Sequence, residues 1–367
     1  MCILPVFVGM DYHDSFVQVC VLDTDGTVLS NRQRPNEWQA LAECVQGYGR
    51  PVRAAIESCC GAANLAEELT SKAGWSVDLA HPGYVARMKQ NPDKTDYQDA
   101  QLVADLERVG YLPRVWLAPH AIRELRRLVR YRQQLAEQRR ATKLRLVAVL
   151  RDQRCRPLSR LSPWSKAWRI WLEKLAPLSE QGRYLADKHL AELDRLIQEI
   201  REVEHRLESL TADDPEVQRL LQQKGIGPVT AWTIRAEIGR GDRFRSGKQM
   251  ARFCGVSPRN ASSGQRQADA GLIRAANPGL RTVLIEAAHR LIRYHDDWRA
   301  FARRLRAAGK PGSVVAAAVA NRWVRRLYHV MKTPAATPVD TGHPAGVSPP
   351  PCGDQGGLIA APLGTPC

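Results

Sequence analysis

Lys94-Thr95-Asp96-Tyr97-Gln98-Asp99-Ala100 runs straight into Gln101-Leu102-Val103-Ala104-Asp105-Leu106, and together they read as the start and body of a helix. Asp96 and Asp99 stand three residues apart, so they share one helix face. Two carboxylates held there repel unless a cation sits between them, and their oxygens suit a hard divalent ion such as magnesium. The competing reading makes Asp96 a solvated first-turn acid that complements the helix dipole. The rest of the chain decides between them.

Upstream, residues 6–11 form a short apolar run ending in Asp11, and residues 16–22 and 27–29 form two more, with Asp23-Thr24-Asp25-Gly26 between those two. An Asp-Gly step between β-prone runs marks a hairpin, so the chain opens with a three-stranded meander. Residues 36–46 read as a helix, 52–57 as a strand ending in Glu57, 62–73 as a helix stopped by Gly74, and 75–79 as a strand closed by His81-Pro82. That order predicts a mixed sheet with helices on its faces and a site at its strand ends. If the first and fourth strands are neighbours, Asp11 and Glu57 meet Asp96 and Asp99 at one edge. Four acids converging in this way need metal, and two magnesium ions roughly 3.5–4 Å apart would clamp both oxygens of a phosphoryl displacement. His13 and Asp14 receive no role.

Composition points the same way. The 367 residues carry 54 Lys and Arg against 38 Asp and Glu, a net charge of +16 that favours a polyanionic partner, nucleic acid above all. Nine cysteines include no C-x-x-C pair, which argues against a zinc cluster or a secreted disulfide framework and for a reducing, cytoplasmic setting. The first residues lack the basic region of a signal peptide, and no 18-residue apolar run exists to cross a membrane.

Residues 114–119 read as a linker, after which the character changes. Residues 122–153 are rich in arginine and nearly free of helix breakers, with apolar positions at Leu125, Leu128, Leu135, Leu146 and Val149. The excess of arginine over acid there favours contact with phosphates. Residues 183–210 read as a second helix, whose Leu193, Leu196, Ile200, Val203, Leu207 and Leu210 alternate spacings of three and four as in a coiled-coil seam. Between them Trp164, Trp168 and Trp171 fit the packing of a hairpin tip or a dimer contact better than a platform for bases.

Past Asp213-Asp214-Pro215, the stretch Gly225-Ile226-Gly227-Pro228 is similar to a helix-hairpin-helix turn, with free amides opening the next helix toward phosphate. A plain glycine turn between packed helices would look the same. Residues 253–266 read as a loop in which Ser262, Ser263 and Gly264 lie between Arg259 and Arg266. Such a serine attacks a phosphodiester only if a base, or metal and arginines, support the developing charge. Otherwise it is a polar surface loop. Residues 282–294 and 314–331 read as helices, and 333–367 cannot bury a core and are expected to be disordered.

Taken together, Gly9-Met10-Asp11, Ile56-Glu57 and Lys94-Thr95-Asp96 through Asp99-Ala100 resemble the acidic signature of Piv-type (pilin-gene-invertase-like) DEDD insertion-sequence transposases. Gly225-Ile226-Gly227-Pro228, Arg243-Phe244-Arg245-Ser246, Gly255-Val256-Ser257-Pro258, Ser262-Ser263-Gly264 and Asn277-Pro278-Gly279-Leu280-Arg281 match that family's C-terminal domain in order, so the resemblance covers roughly residues 5–330. It implies an α/β plus α protein. A RuvC-like, ribonuclease-H-type domain would span residues 1–118 and antiparallel coiled-coil helices 119–212. A mostly helical transposase domain with a helix-hairpin-helix-like element would span 213–332, and the tail 333–367.

The resemblance further implies a recombinase that excises and inserts its own element. Asp11, Glu57, Asp96 and Asp99 would hold Mg2+, and Ser263, with Ser262 as rival, would form a transient link to DNA. Its partners would be donor and target DNA and a structured guide (bridge) RNA. The helical seam adds the expectation of a homodimer or homotetramer. A Holliday-junction-type metal endonuclease without a serine intermediate is the alternative, and a non-enzymatic nucleic-acid binder the third.

Overall fold

The computed structural model describes residues 4–89, 95–157, 161–261 and 269–332. The chain divides into two compact units, one ending at Leu117 and the other beginning at Ala118. The expectations for Ser262, Ser263, Arg266 and the tail 333–367 lie outside the described residues.

The first unit is a mixed α/β structure. Its elements are β1 (Val6–Tyr12), β2 (Phe16–Leu22), β3 (Val28–Pro35), α1 (Trp38–Val45), β4 (Val52–Glu57), α2 (Ala62–Ala73), β5 (Ser76–Ala80), α3 (Pro82–Met88), α4 (Asp96–Arg108) and β6 (Arg114–Val115). The sheet order is β3-β2-β1-β4-β5-β6. The first three strands form the expected antiparallel meander, β1 and β4 pair in parallel, and so do β4 and β5. At the β2–β3 turn Asp23 Oδ1 accepts from the amides of Asp25 and Thr27, and Gly26 takes a φ of +91°. Arg114 and Val115, read as linker, instead form a short edge strand on β5. Two residues are too few for any periodicity to reveal.

Sheet and helices bury opposite faces of the same strands, the alternation that a pleated strand imposes. Val6, Val8 and Met10 of β1 join Leu41, Leu65 and Leu69 from α1 and α2. Phe7 points the other way, into a cluster with Cys20, Leu22, Ala100 and Ala104. Gly9 makes this second face possible, because a Cβ there would fall 1.9 Å from the Ala100 carbonyl oxygen and 2.4 Å from the Ala104 amide nitrogen. Thr95 caps α4, its hydroxyl accepting from the Gln98 amide at 3.3 Å.

The second unit is mostly helical. Two long helices, α5 (His120–Asp152) and α7 (Glu180–Thr211), flank the short α6 (Lys166–Lys174). The long pair runs antiparallel. Leu146 and Leu150 meet Leu190 and Leu193 near the tip, Leu135 meets Leu196 and Ile200 midway, and Leu125 and Val129 share a core with Leu207 at the base. Trp168 and Trp171 are buried in the tip cluster, as the hairpin-tip reading expects.

Leu210, read as the last seam position, is instead 53% exposed. The buried position passes to Thr211, whose hydroxyl donates to the Leu207 carbonyl at 2.7 Å and accepts from Trp232 Nε1 at 2.9 Å. A strict heptad count fails here because the helix stops packing on α5 and begins packing on the helical core.

That core gathers α8 (Pro215–Leu221), α9 (Pro228–Ile238), α10 (Gly247–Phe253), α11 (Pro278–Tyr294), α12 (Asp296–Ala307) and α13 (Gly312–Lys332) around Trp232, Ile234, Leu284 and Val319. Between α8 and α9, Gly225 adopts a φ of +85° and packs against Leu291, and α9 opens with Pro228. After α10 the chain read as a loop contains a strand, β7 (Pro258–Asn260), paired antiparallel with β8 (Asp269–Leu272).

The tight seating of α4 on β1 is directly testable. Gly9→Ala should lower stability by about 1–3 kcal/mol or more, as overpacking does, with a matching fall in urea midpoint. Gly47→Ala, where a new Cβ meets nothing within 4 Å, should leave the midpoint nearly unchanged.

Candidate active site: carboxylates at the ends of β1 and α4

Asp11 lies near the end of β1, one residue past the last β1–β4 pair, Met10 with Ile56, so Glu57 follows on the adjacent strand. The seating of α4 brings its first turn, with Asp96 and Asp99, to the same end of the sheet. The structure gathers Asp11 and Asp96 most closely, and a third residue joins them. One ligand atom each from Asp11, His13 and Asp96 lie within 4.8 Å of one another.

His13 Nε2 stands 3.4 Å from Asp11 Oδ2 and 3.4 Å from Asp96 Oδ2, without a well-directed hydrogen bond to either. Its ring stacks on Phe16 with centroids 4.3 Å apart. Asp99 is buried, and Lys89 Nζ sits 2.7 Å from its Oδ1. Glu57 is half-buried and outside the three-residue cluster, although its charge reaches Cys59, as does that of Asp11.

The electrostatics match this crowding. Burial raises the Asp11 carboxyl above its ordinary range, the neighbouring His13 opposes the shift, and the charges of Asp96 and Asp99 add to it. Burial also pushes up the Cys59 thiol, with the charges of Cys60, Glu57 and Asp11 adding, so it is held away from the nucleophilic thiolate form. The donor set of carboxylate oxygens and one imidazole nitrogen fits a divalent cation, whose charge would offset the burial and, to a lesser degree, the repulsion that disfavour ionised Asp11.

His13 and Lys89 were not singled out from the sequence. His13 carried a usable signal, since residues two apart on an extended chain face the same way. Lys89 carried none: it reaches Asp99 only through the placement of α3.

In the second unit, β7 and β8 are the described strands on either side of the segment that carries Ser263. Asn321 of α13 holds the base of β7, its Nδ2 donating to the Val256 carbonyl at 3.3 Å and to Ser257 Oγ at 3.0 Å. The arginines of α5 prove less available than their number implied. Arg130 makes a two-pronged pair with the buried Glu237, Arg132 binds Glu204, and Arg126 Nε donates to the Ala236 carbonyl. They are engaged in joining helices, even where, as for Arg130, the side chain stays half exposed, and only the long-range acids of α7 and α9 reveal it. Arg139, Arg140 and Arg145 stay outside any ion pair among the described residues.

Asp11 also gives a pH test. Its folded-state carboxyl lies above the unfolded value, so ionising it costs folding free energy once the pH rises through the folded value. Without metal, Asp11→Asn should therefore melt at a higher temperature than wild type near pH 7. That gain should vanish below about pH 3.5, where both states hold the proton. Added divalent cation should raise the melting temperature of wild type more than that of the variant.

Comparison with known proteins extends these observations. Residues 8–153 match a DEDD transposase domain of the IS110 type, described simply as "Transposase", and residues 217–303 match the "Transposase IS116/IS110/IS902 family". A "Probable family 20 transposase" of Pseudomonas aeruginosa is 29% identical, over 88% of this chain and 96% of its own length. The "Transposase for insertion sequence element IS1328" of Yersinia enterocolitica is 27% identical, over 77% and 82% of the two chains. The "Transposase for insertion sequence element IS1111A" of Coxiella burnetii is 24% identical, over 78% of each.

The DEDD transposase domain is ribonuclease-H-like and its family typically metal-dependent, in keeping with the mixed sheet and the acidic cluster found here. No helix among the described residues is long and apolar enough to cross a membrane. With one match beginning on the acid-bearing sheet, the other lying within the helical unit, and relatives that span most of both chains, the protein belongs to the IS110/IS116/IS902 family of DNA transposases.

Proposed function

We propose that this transposase excises and inserts its element by cutting and exchanging DNA strands, using Asp11, Glu57, Asp96 and Asp99 together with Ser263. The observation that carries the acidic half is the gathering of Asp11, His13 and Asp96 around one point, where Asp11 resists ionisation without a counter-charge. Asp11, Asp96 and Asp99, with Glu57 from the adjacent strand, would hold magnesium. When bound, magnesium would supply Lewis-acid stabilisation of the charge that develops on phosphate oxygens.

The chain's own groups do the remaining work. Lys89 balances the charge of Asp99 until the ion takes its place, and His13 Nε2, 3.4 Å from an oxygen of both Asp11 and Asp96, adds an imidazole nitrogen at the edge of the carboxylate set. Ser263 Oγ would attack phosphorus. A bond from that oxygen to phosphorus forms, the bond to one sugar oxygen breaks, and the departing oxygen gains the proton that the serine gives up. Attack by a free sugar hydroxyl on the same phosphorus reverses the exchange and rejoins the strands.

Donor and target DNA are the substrates, and a structured RNA from the element would guide their pairing. The net charge of +16 supports partners of that kind. A homodimer or homotetramer is the proposed assembly, supported by exposed Ile170, Leu175 and Tyr184 around the hairpin tip.

Ser263→Ala and Asp11→Ala should each lower strand exchange by at least about a thousandfold, the scale seen when a nucleophile or its essential partner is removed. Both should keep nucleic-acid binding. On a suicide substrate wild type should form a covalent protein–DNA adduct and Ser263→Ala none. Normal exchange by Ser263→Ala, or cleavage with no adduct, would replace this reading with that of an acid-only junction endonuclease. RNA recovered with the purified protein and mapping to the element's ends would support the guide, and absence of such RNA would count against it.

A further inference from the structure

The second unit contains a cavity of about 1590 Å3 that the acidic site does not use. It exceeds the roughly 300–1,000 Å3 of pockets that enclose a single small molecule. Its wall is built largely from α13, with Lys248 of α10 and Lys310 contributing, while Pro258 of β7 and Gly271 and Leu272 of β8 form a border. Those are the two strands flanking the segment that carries Ser263.

The charged side chains of the lining are basic, set among apolar ones such as Leu272, Phe301 and Val314. Arg322, Arg325, Arg326 and Lys332 recur along one face of α13, joined by Lys248 and Lys310, and no aspartate or glutamate is among the described residues that line the cavity. Residues 298–339 hold nine Lys or Arg and no Asp or Glu, so the local chain offers no carboxylate to balance them. Among the described residues none of these six cations forms an ion pair, in contrast with Arg126, Arg130 and Arg132 on α5.

Like charges three and four residues apart on a helix cost stability, by roughly 0.2–0.5 kcal/mol a pair. A helix that keeps several of them unpaired on one side is built for an external polyanion. Arg322 and Arg326 are further held in place by ring faces, over Phe301 at 5.1 Å and over Trp298 at 4.8 Å. Their guanidinium groups are thereby oriented before any ligand arrives, which reduces the ordering cost of binding. The floor is fixed as well, since Asn321 ties α13 to the base of β7.

We propose that this groove binds the phosphodiester backbone of a nucleic-acid strand and leads it along α13 to the arms β7 and β8. Lys248, Lys310 and Arg325 meet phosphates as point charges or forks, and Arg322 and Arg326 do so from fixed positions. DNA and RNA share this backbone chemistry. Delivery to the serine rests on the reaction proposed above; binding in the groove does not.

The test uses full-length protein in EDTA, so that neither metal nor strand cleavage enters the reading. Lys248→Ala/Lys310→Ala/Arg325→Ala removes three side chains that have no ion pair or ring contact among the described residues, so its melting temperature should stay near that of wild type. Lys174→Ala/Arg201→Ala/Lys224→Ala removes the same charge outside the groove. Binding of labelled single-stranded DNA, duplex DNA and RNA of one sequence is measured across a salt series.

The groove variant should bind at least about tenfold more weakly near physiological salt, and its log–log salt slope should fall by about 2–3, as expected for three lost phosphate contacts. The control variant should lose far less. Loss confined to the DNA probes or to the RNA probe identifies which strand occupies the groove. Equal binding by the groove and control variants, or an unchanged slope, would overturn the proposal. Either result leaves the adduct test of Ser263 independent, since that test reads chemistry and this one reads affinity.

Discussion

The placement of α4 directly on the backbone of β1 is the constraint on which the first unit depends. At Gly9 helix and strand approach until no side chain fits between them, which fixes the helix along its own axis as well as across the sheet. That axial position decides that the first turn of α4, and so Asp96 and Asp99, arrives at the end of β1 beside Asp11. Parallel pairing with β4 then sets Glu57 on the neighbouring strand. The like charges of the cluster are thus a result of the packing below them. Alternation of faces along β1 supplies core on both sides, and that core holds the charged end in place.

The second unit solves a different problem, that of anchoring a long helical pair. Its base is joined to the core by polar ties as well as by apolar packing. Glu237, almost wholly buried, is matched by the fork of Arg130, and Trp232 reaches Thr211 through its indole nitrogen. Removing one partner of such a buried pair costs more than the pair itself contributes, because the remaining charge is left without water. The arginines of this family member therefore divide into two populations. Those of α5 near the core join helices, while those of α13 face outward without acids.

How much of this was legible in the chain depends on the range of the interaction. The meander, the strands ending at Asp11 and Glu57, and the two long helices follow from local periodicity and from the Asp-Gly turn, and the structure has them. Neighbouring β1 and β4 was a condition in the reading, and the parallel pairing satisfies it. What local pattern could not carry was any partner supplied from a distance. Lys89 meets Asp99 through α3, Arg130 meets Glu237 more than a hundred residues away, and Leu210 loses its place to Thr211 because α7 changes neighbours there. His13 was the nearest miss: it was considered and given no role, although its place two residues from Asp11 on an extended chain puts the two side chains on one face. The two-residue strand β6 is too short to leave a signal.

The lock between Thr211 and Trp232 has a mechanical meaning. A helix of 33 residues such as α5 is about 50 Å long, and an arm of that length mounted on a flexible joint would wander freely. Here the arm has no joint at its root, since α5 and α7 both run into the core that also holds α9, and the last turn of α7 is fastened there by an indole. The hairpin is therefore a braced arm, rooted in the same core that, through Asn321 of α13, also holds the base of β7.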